Sequence, residues 1–432
     1  MSYFLYFLFL CIFGAVFSLL FFPRVRAFSL AFFIFSSAFI TRLFGIVANE
    51  YFGFFDAKLA SSLPVINYAT LTGDGTYWNG NFALQTVLNI PGFLIVDPNV
   101  YVLLMTNAFV GALAFLPLLY VMKKNDMENT GIILSLIVSF LPSAFNFSIF
   151  ALRDVLLFSA VIWYCAAIIG LWYSRKIGIS IVYFLISIAS LSSIASMRIE
   201  LFAFVLVPFF GFFFYRFFLV RSSDRLVARK NATTRVAFFG LIAILITALS
   251  VPSLYTIVVR QVNREGASPI ELVEIAATQR FMRAASGGGG RSNIVDVATY
   301  QGLPWYARWS LQTVGLVITP FPWQVTNPAR LLAFLDSLIL IWMLAYVVIR
   351  RRSALLRDVS SPYFWFFITY VLGILIMGVV VVNAGNAFRM RLPLLPFLFI
   401  PFCVMYLQSK KASLDGRTKS KDLMERQSSI ES

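Results

Sequence analysis

Three short segments place an arginine close to a second charged side chain in otherwise apolar sequence. They are "FALRDVLLF" with Arg153 and Asp154, "SMRIELF" with Arg198 and Glu200, and "NAGNAFRMRLPLLPF" with Arg389 and Arg391. The guanidinium group is a rigid planar fork whose geometry matches phosphate and carboxylate, whereas lysine acts as a point charge. These segments therefore predict a site that holds an anionic, phosphate-bearing group.

The third segment gives the strongest signal of the three. In an extended stretch, residues two apart point the same way, so Arg389 and Arg391 would converge on one diphosphate. The alternative is that both side chains snorkel to a membrane interface. Snorkelling does not explain why both are arginines with Asn383 and Asn386 alongside. Ligand binding is the favoured interpretation.

The other two segments leave their alternatives open. Arg153 either closes a helical hairpin by pairing with Asp154 or binds an anionic headgroup that Asp154 orients. Arg198 and Glu200 would not face each other on a continuous helix, although an extended turn would point them the same way. They are either ligands or two independent solvated charges. Arg42 maps to the same side of the membrane and joins the candidate set.

A hydroxyl group that acts as a nucleophile needs a proton acceptor, and a carboxylate serves. The chain contains no histidine, which excludes His-based acid–base catalysis and His-ligated zinc or haem. Asp56 in "GFFDAKL" and Asp74 in "TGDGTYW" are the candidate bases. Asp56 ranks first, because "GDG" is also ordinary turn chemistry. Asp336, within a predicted span, either pairs inside the bundle or, as an intramembrane acid, is a further functional candidate.

Composition indicates that these residues belong to a membrane protein. The chain is 60% hydrophobic and 12% charged, with a mean hydropathy of +0.83. Apolar runs of roughly 20 residues recur, and such runs cross a bilayer as helices. The expected fold is an all-α polytopic membrane protein with about 11 transmembrane helices. The predicted spans are 3–22, 27–47, 100–122, 131–150, 155–173, 177–196, 201–220, 237–257, 330–349, 362–382 and 392–407.

The basic clusters between spans predict the orientation of the chain. With these spans they all fall on one side, which the positive-inside rule makes cytoplasmic. The N-terminus then lies outside and the C-terminus inside. This distribution accounts for the net charge of +16 without nucleic acid as a partner. The clusters are Arg24/Arg26, Lys123/Lys124, Arg175/Lys176, Arg216 to Arg235, Arg350 to Arg352 and Lys410/Lys411.

The segments between spans complete the expected organisation. Residues 1–407 are predicted to form a single integral membrane domain, followed by a disordered cytoplasmic tail at 408–432. Two long outward loops, 48–99 and 258–329, contain apolar pieces too short to span, which favours interfacial or re-entrant helices. Four glycines at 287–290 indicate a flexible loop, since no GK[ST] follows as a phosphate loop requires. No motif implies a metal, nucleotide or other cofactor.

The arrangement also resembles a known group of membrane enzymes. "FGFFDAKLASS" in the first outer loop, the hairpin "LPSAFNFSIFALRD", the element "PFPW" and the closing "NAFRMRLPLLPF" resemble bacterial Wzy-type polysaccharide polymerases and GT-C glycosyltransferases. The resemblance covers residues 40–405 in arrangement. It implies an aspartate base, Asp56 or Asp74, as in GT-C enzymes. It also implies outward arginines that engage a lipid diphosphate, for which Arg153, Arg389 and Arg391 fit best and Arg198 less well.

The expected activity is polymerisation of lipid-linked repeat units of a surface polysaccharide, such as O-antigen or exopolysaccharide. The enzyme would transfer a glycan from polyprenyl diphosphate to an acceptor sugar at the periplasmic face of the bacterial inner membrane. Its partners would be the lipid-linked oligosaccharide, membrane lipid, and chain-length regulators or flippases. Two alternatives stay open: a GT-C transferase that uses a polyprenyl-phosphate sugar, and a flippase or transporter of the lipid-linked oligosaccharide.

Overall fold

The regular structure of the protein is helical throughout the part that can be described. The computed structural model describes residues 2–52, 63–73, 82–149, 153–174, 176–214, 302–326, 328–350, 361–378 and 384–410. Within these ranges no strand occurs. The helices are α1 Ser2–Phe21, α2 Val25–Phe52, α3 Leu63–Thr72, α4 Ala83–Val96, α5 Val100–Leu113, α6 Leu116–Lys124, α7 Glu128–Phe140, α8 Pro142–Ser148, α9 Asp154–Tyr173, α10 Ile177–Met197, α11 Ile199–Val205, α12 Val207–Phe214, α13 Trp305–Ile318, α14 Pro328–Ala345, α15 Pro362–Gly378, α16 Ala384–Arg391 and α17 Pro396–Lys410.

Six helical segments in the described residues are long and apolar enough to cross a membrane. They are Ser2–Phe21, Val25–Tyr51, Val100–Lys124, Asp154–Tyr173, Ile177–Met197 and Arg330–Arg350. Counting each of two bent helix pairs as one span raises the number to eight. The all-helical, multi-pass membrane character expected from composition is confirmed to this extent. The number of 11 spans stays a prediction, and the predicted span 237–257 lies outside the described residues.

The two bent pairs interrupt spans that the sequence predicts as continuous. Helices α7 and α8 meet at 47°, and the pair Ala387–Leu394 and Pro396–Lys410 meets at 52°. Proline explains both bends, because it lacks an N–H and its ring clashes with the carbonyl four residues earlier. Pro142 begins α8, and Pro393 and Pro396 follow α16. Each bend leaves backbone polar groups inside the bundle that need partners.

Helix α9 is the centre of the bundle. In its apolar window 89% of the residues are buried, against 22% in α1, which lies at the periphery. Gly170 lets α10 approach closely, since a Cβ there would lie 2.6 Å from ring atoms of Tyr183. Because α9 is surrounded by other helices, a charge at its end meets protein rather than lipid. That placement matters for Asp154.

The bundle has two chemically different ends. Leu20, Phe21, Lys124 and Ile179 line one cavity, so the ends of α1 and α6 and the start of α10 lie together. Helices α14 and α17 end close to each other, because the ring centroids of Tyr346, which follows α14, and Tyr406 are 5.7 Å apart. We call this the basic end, after the lysines and arginines at these helix termini. Asp154, where α9 begins, lies at the opposite end, which we call the arginine end. Which end faces the cytoplasm stays a prediction.

The described parts of the two long predicted loops contain helices. The first holds α3 and α4, and α4 packs against α1 and α5. The second ends with α13, which packs against α15 and α16. Whether these helices are interfacial or re-entrant stays a prediction, as does the single-domain division. Gly287 to Gly290 and the tail from residue 411 onward lie outside the described residues.

Candidate functional site

The arginine end contains a buried carboxylate held by two arginines from distant parts of the chain. Asp154, the first residue of α9, has no exposed surface. Its Oδ1 accepts a hydrogen bond from Nη2 of Arg198 at 2.9 Å, and its Oδ2 accepts one from Nε of Arg389 at 2.7 Å. We call these three residues the Asp154 cluster. In the sequence, Arg198 lies 44 positions from Asp154 and Arg389 lies 235 positions from it, so the fold brings them together.

Local backbone structure aims Arg198 at the carboxylate. It lies between α10 and α11 with an extended backbone, φ −151° and ψ 94°. This break between the two helices lets its side chain reach Asp154 at the start of α9. Only 6% of the residue is exposed. Its Nη1 also contacts the sulfur of Met390 at 2.6 Å. Arg198 is therefore fixed by two residues distant in sequence.

Asp154 is favoured at its position for two reasons. A carboxylate in the first turn of a helix interacts favourably with the positive end of the helix dipole. Two charge-assisted hydrogen bonds then occupy both of its oxygens. A buried carboxylate without such partners would be strongly destabilising. Asp154 thus holds Arg198 and Arg389 in fixed positions relative to each other.

Arg389 is the member of the cluster that remains accessible. Its side chain is 36% exposed, while that of Asp154 is fully buried. Its Nε bonds to Asp154, and no acceptor for Nη1 or Nη2 occurs among the residues that the structure describes. These two nitrogens form a free edge of the guanidinium fork. Such an edge suits a phosphate group, which accepts paired N–H donors.

Arg391 does not join Arg389, which corrects the expectation of a converging pair. The segment forms the helix α16 and is not extended. Each residue turns by about 100° around a helix axis, so residues two apart lie on nearly opposite sides. Arg391 is fully buried. Its Nη1 donates to Thr319 O and to Ser337 Oγ, both at 2.7 Å, and its Nη2 donates to Ala333 O at 2.7 Å. Its contacts are those of an internal structural residue.

Arg391 and Asp336 satisfy backbone groups at interrupted helices. Arg391 bonds carbonyls at the end of α13, including Val317 O at 3.3 Å. The Oδ2 of Asp336 accepts the backbone N–H of Ser143 at 2.9 Å, in the first turn of α8 after the bend. The buried carboxylate of Asp336 therefore has a partner inside the bundle, which was one of the two alternatives for this residue. Both charges meet backbone groups that lipid would leave unsatisfied.

The structure decides against a hairpin closed by an Arg153–Asp154 pair. The carboxylate of Asp154 is bonded by arginines of other elements, as described above. The Arg153 guanidinium carbon lies 5.2 Å from the ring centroid of Phe82, a cation–π distance. This contact joins the start of α9 to the start of α4. Arg153 therefore lies beside the Asp154 cluster and faces the first outer-loop helices.

Arg42 belongs to a separate polar position in α2. The residue is fully buried, its Nε donates to Ser148 Oγ at 2.8 Å, and its Nη1 donates to Ala38 O at 3.0 Å. Gly111 makes room for it, since a Cβ at 111 would lie 3.2 Å from Arg42 Nε. The contacts found for Arg42 connect α2 with α8 and do not include the Asp154 cluster.

The remaining predicted residues are not tested by geometry. Asp56 and Asp74 lie outside the described residues. Glu200 lies in α11, but its side chain is not described. Sequence reasoning also missed several partners in the site, because nothing in their local sequence indicates a contact. These partners are Phe82, Met390, Thr319 and Ser337.

Comparison with known proteins adds no family to this picture. Among the described residues, no three His, Cys, Asp or Glu side chains are grouped as metal ligands would be. No protein-family model matches the chain, and no similar protein was found among curated proteins or among solved structures. Any functional conclusion must therefore come from the chemistry of the site.

Proposed function

We propose that this protein is a membrane glycosyltransferase that polymerises lipid-linked oligosaccharide repeat units for a bacterial surface polysaccharide. The substrate would be an oligosaccharide on a polyprenyl diphosphate. The diphosphate would bind at the Asp154 cluster, and Arg389 would be the residue of the cluster that contacts it directly. Arg153, next to the cluster, would contact the same headgroup.

One observation carries this proposal: a fixed, partly exposed guanidinium whose terminal nitrogens have no described partner and lie at the end of an apolar helical bundle. A polyprenyl diphosphate needs an apolar surface for its chain and a cationic group for its phosphates. Asp154 occupies only the Nε of Arg389, and the described residues offer no acceptor to the terminal nitrogens, which leaves them available for a second anion. The buried carboxylate acts as an orienting group and would not contact the lipid.

The reaction requires one bond to form and one to break. A hydroxyl of the acceptor sugar attacks the anomeric carbon of the donor glycan, and the bond from that carbon to the diphosphate oxygen breaks. The electron pair leaves with the polyprenyl diphosphate, whose added charge Arg389 and Arg153 would stabilise. The hydroxyl proton passes to a carboxylate, for which Asp56 is the first candidate and Asp74 the second.

The proposal places the arginine end at the periplasmic face of the inner membrane. The lysine-rich basic end would then face the cytoplasm, as the positive-inside rule requires. Reporter fusions after Lys124 should give a cytoplasmic signal, and fusions at Asp74 an external one. A cytoplasmic signal at Asp74 would contradict the proposed location of the reaction.

Deletion of the gene separates this proposal from its alternatives. Loss of a polymerase leaves surface molecules that carry a single complete repeat unit and no long chains. Loss of a single-sugar transferase leaves truncated repeat units. Loss of a flippase causes complete lipid-linked units to accumulate on the cytoplasmic side. Gel electrophoresis of the surface polysaccharide, with mass spectrometry of lipid-linked intermediates, identifies which outcome occurs, and either of the last two contradicts the polymerase.

The base is tested by neutral, isosteric substitutions in complementation of the deletion strain. Asp56→Asn should lower polymer formation by about 10²-fold or more at unchanged protein level, the scale of lost general-base catalysis. Asp74→Asn should have little effect if Asp74 only supports a turn. The reverse result assigns the role to Asp74, and two fully active variants would exclude both residues as the base.

A further inference from the structure

A second candidate binding site lies at the basic end, on the side of the bundle away from the Asp154 cluster. A cavity of about 480 Å³ opens between the ends of α1 and α6, the middle of α9 and the start of α10. Small-molecule sites commonly have volumes of about 300–1,000 Å³. The proposed reaction at the arginine end makes no use of this cavity.

The interior of the cavity is apolar and opens sideways. Ala166 and Ala167 of α9 are small, buried residues, and they leave the space that larger side chains would fill. Leu20 and Val182 line the opening and are 72% and 55% exposed, on helices whose outer surfaces are those of membrane spans. A ligand would therefore enter from the hydrocarbon region, which favours a lipid chain.

A single cation lies among the residues that line the cavity. Lys124, the last residue of α6, holds its ammonium 5.6 Å from the ring centroid of Tyr120 and 5.9 Å from that of Tyr183. The adjacent Lys123 is neutralised by Glu128, at 2.7 Å. Lys124 has no carboxylate partner among the described residues, and its charge is available at the rim.

We propose that the cavity binds one acyl chain of an anionic phospholipid, with the headgroup phosphate paired to Lys124. Charge complementarity selects this occupant, because the rim carries a lysine and the neighbouring helix ends are basic. Tyr120 and Tyr183 hold the ammonium at the level of the headgroup through cation–π contacts. A zwitterionic lipid fits the same apolar cavity, but its own cation opposes the attraction to the basic end.

Native mass spectrometry of the purified protein tests this assignment. The probes are phosphatidylglycerol and phosphatidylcholine with identical acyl chains. We expect the wild-type protein to prefer phosphatidylglycerol, and Lys124→Gln to lower its affinity for that lipid about fivefold, the scale of one lysine near an anionic lipid surface. Lys410→Gln, an exposed lysine at the same end but outside the cavity, should change nothing.

A space-filling variant tests the cavity itself. Val182→Trp narrows the opening from an exposed position, so it does not disturb buried packing. We expect it to weaken the binding of both lipids while the melting temperature in detergent stays unchanged. Equal affinity of the wild type for both lipids, equal effects of Lys124→Gln and Lys410→Gln, or full binding by Val182→Trp would each overturn the proposal.

Discussion

Arg389 and Arg391 are separated by a single residue in the sequence, yet their environments are opposite. Arg389 is partly exposed, bonds one buried carboxylate and keeps its terminal nitrogens free of described partners. Arg391 is fully buried and donates four hydrogen bonds to backbone and hydroxyl oxygens of α13 and α14 and the segment between them. The first has the properties of a ligand-binding residue, and the second those of an internal structural residue.

The helix that carries them causes this difference. Because α16 is helical, neighbouring arginines point to opposite sides, one toward the surface at the arginine end and one into the bundle. The buried guanidinium is tolerated inside the bundle because carbonyls at the end of α13, a carbonyl of α14 and the Ser337 hydroxyl accept its hydrogen bonds. Residue type alone therefore does not identify a phosphate ligand, and the partners of each guanidinium do.

The largest effect that separates the two arginines should be on stability. Replacing Arg391 by methionine removes four hydrogen bonds from the interior of the bundle. We expect Arg391→Met to destabilise the protein by about 3–5 kcal/mol, because several buried oxygens lose their donor at a cost of about 1–3 kcal/mol each. Thermal unfolding followed by tryptophan fluorescence measures the change.

The matched substitution at the other arginine serves as the control. Arg389→Met leaves Asp154 its bond to Arg198 and removes a partly exposed side chain, so the melting temperature of this variant should fall much less. Equal losses of stability in both variants would contradict the distinction between a structural and a ligand-binding arginine.

The next effect should appear in activity. In Arg389→Lys the single ammonium pairs with Asp154 and loses the second donor edge that a phosphate would use. We expect polymer formation to fall by about 10²–10³-fold, the scale for losing one donor to a developing charge. Arg308 provides a matched control, since its Nε donates to Leu303 O. Near-normal activity of Arg389→Lys in complementation would show that the fork of Arg389 is dispensable. An equal loss in Arg308→Lys would show that the effect is not specific to Arg389.

The sequence predicted the class of fold more fully than it predicted the site. Long apolar runs are sufficient for membrane helices, and the arginines were found because charges are conspicuous in such runs. The partners of Asp154 were not predictable, because Arg198 and Arg389 approach it only after distant helices have packed together. The bend at Pro142 had a local signal in "LPSAF", but its consequence, an N–H of Ser143 bonded to Asp336, depends on α14.

A smaller effect is expected when the carboxylate of the cluster is neutralised. Asp154→Asn keeps the shape but loses the charge that fixes Arg198 and Arg389. We expect a loss of about 1.5–3 kcal/mol, the range for hydrogen bonds to a charged group. Thermal unfolding measures it, with Asp126→Asn, in the turn after α6, as an unaffected control.

Exchanging the charges of neighbouring residues sharpens the same test. In a double variant, Arg153→Asp with Asp154→Arg, the new arginine faces Arg198 and Arg389, so both folded protein and activity should be lost. Recovery of wild-type abundance would mean that Asp154 pairs with its neighbour, contrary to the cluster described here.

Binding of a short polyprenyl diphosphate tests the central claim most directly. Farnesyl diphosphate is titrated into the purified protein by calorimetry, with farnesol and protein-free micelles as blanks. We expect the wild-type protein to bind, Arg389→Gln to bind at least about tenfold more weakly, a loss of about 1.4 kcal/mol, and Arg308→Gln to match the wild type. Unchanged affinity in Arg389→Gln would contradict the assignment of Arg389 as the diphosphate ligand.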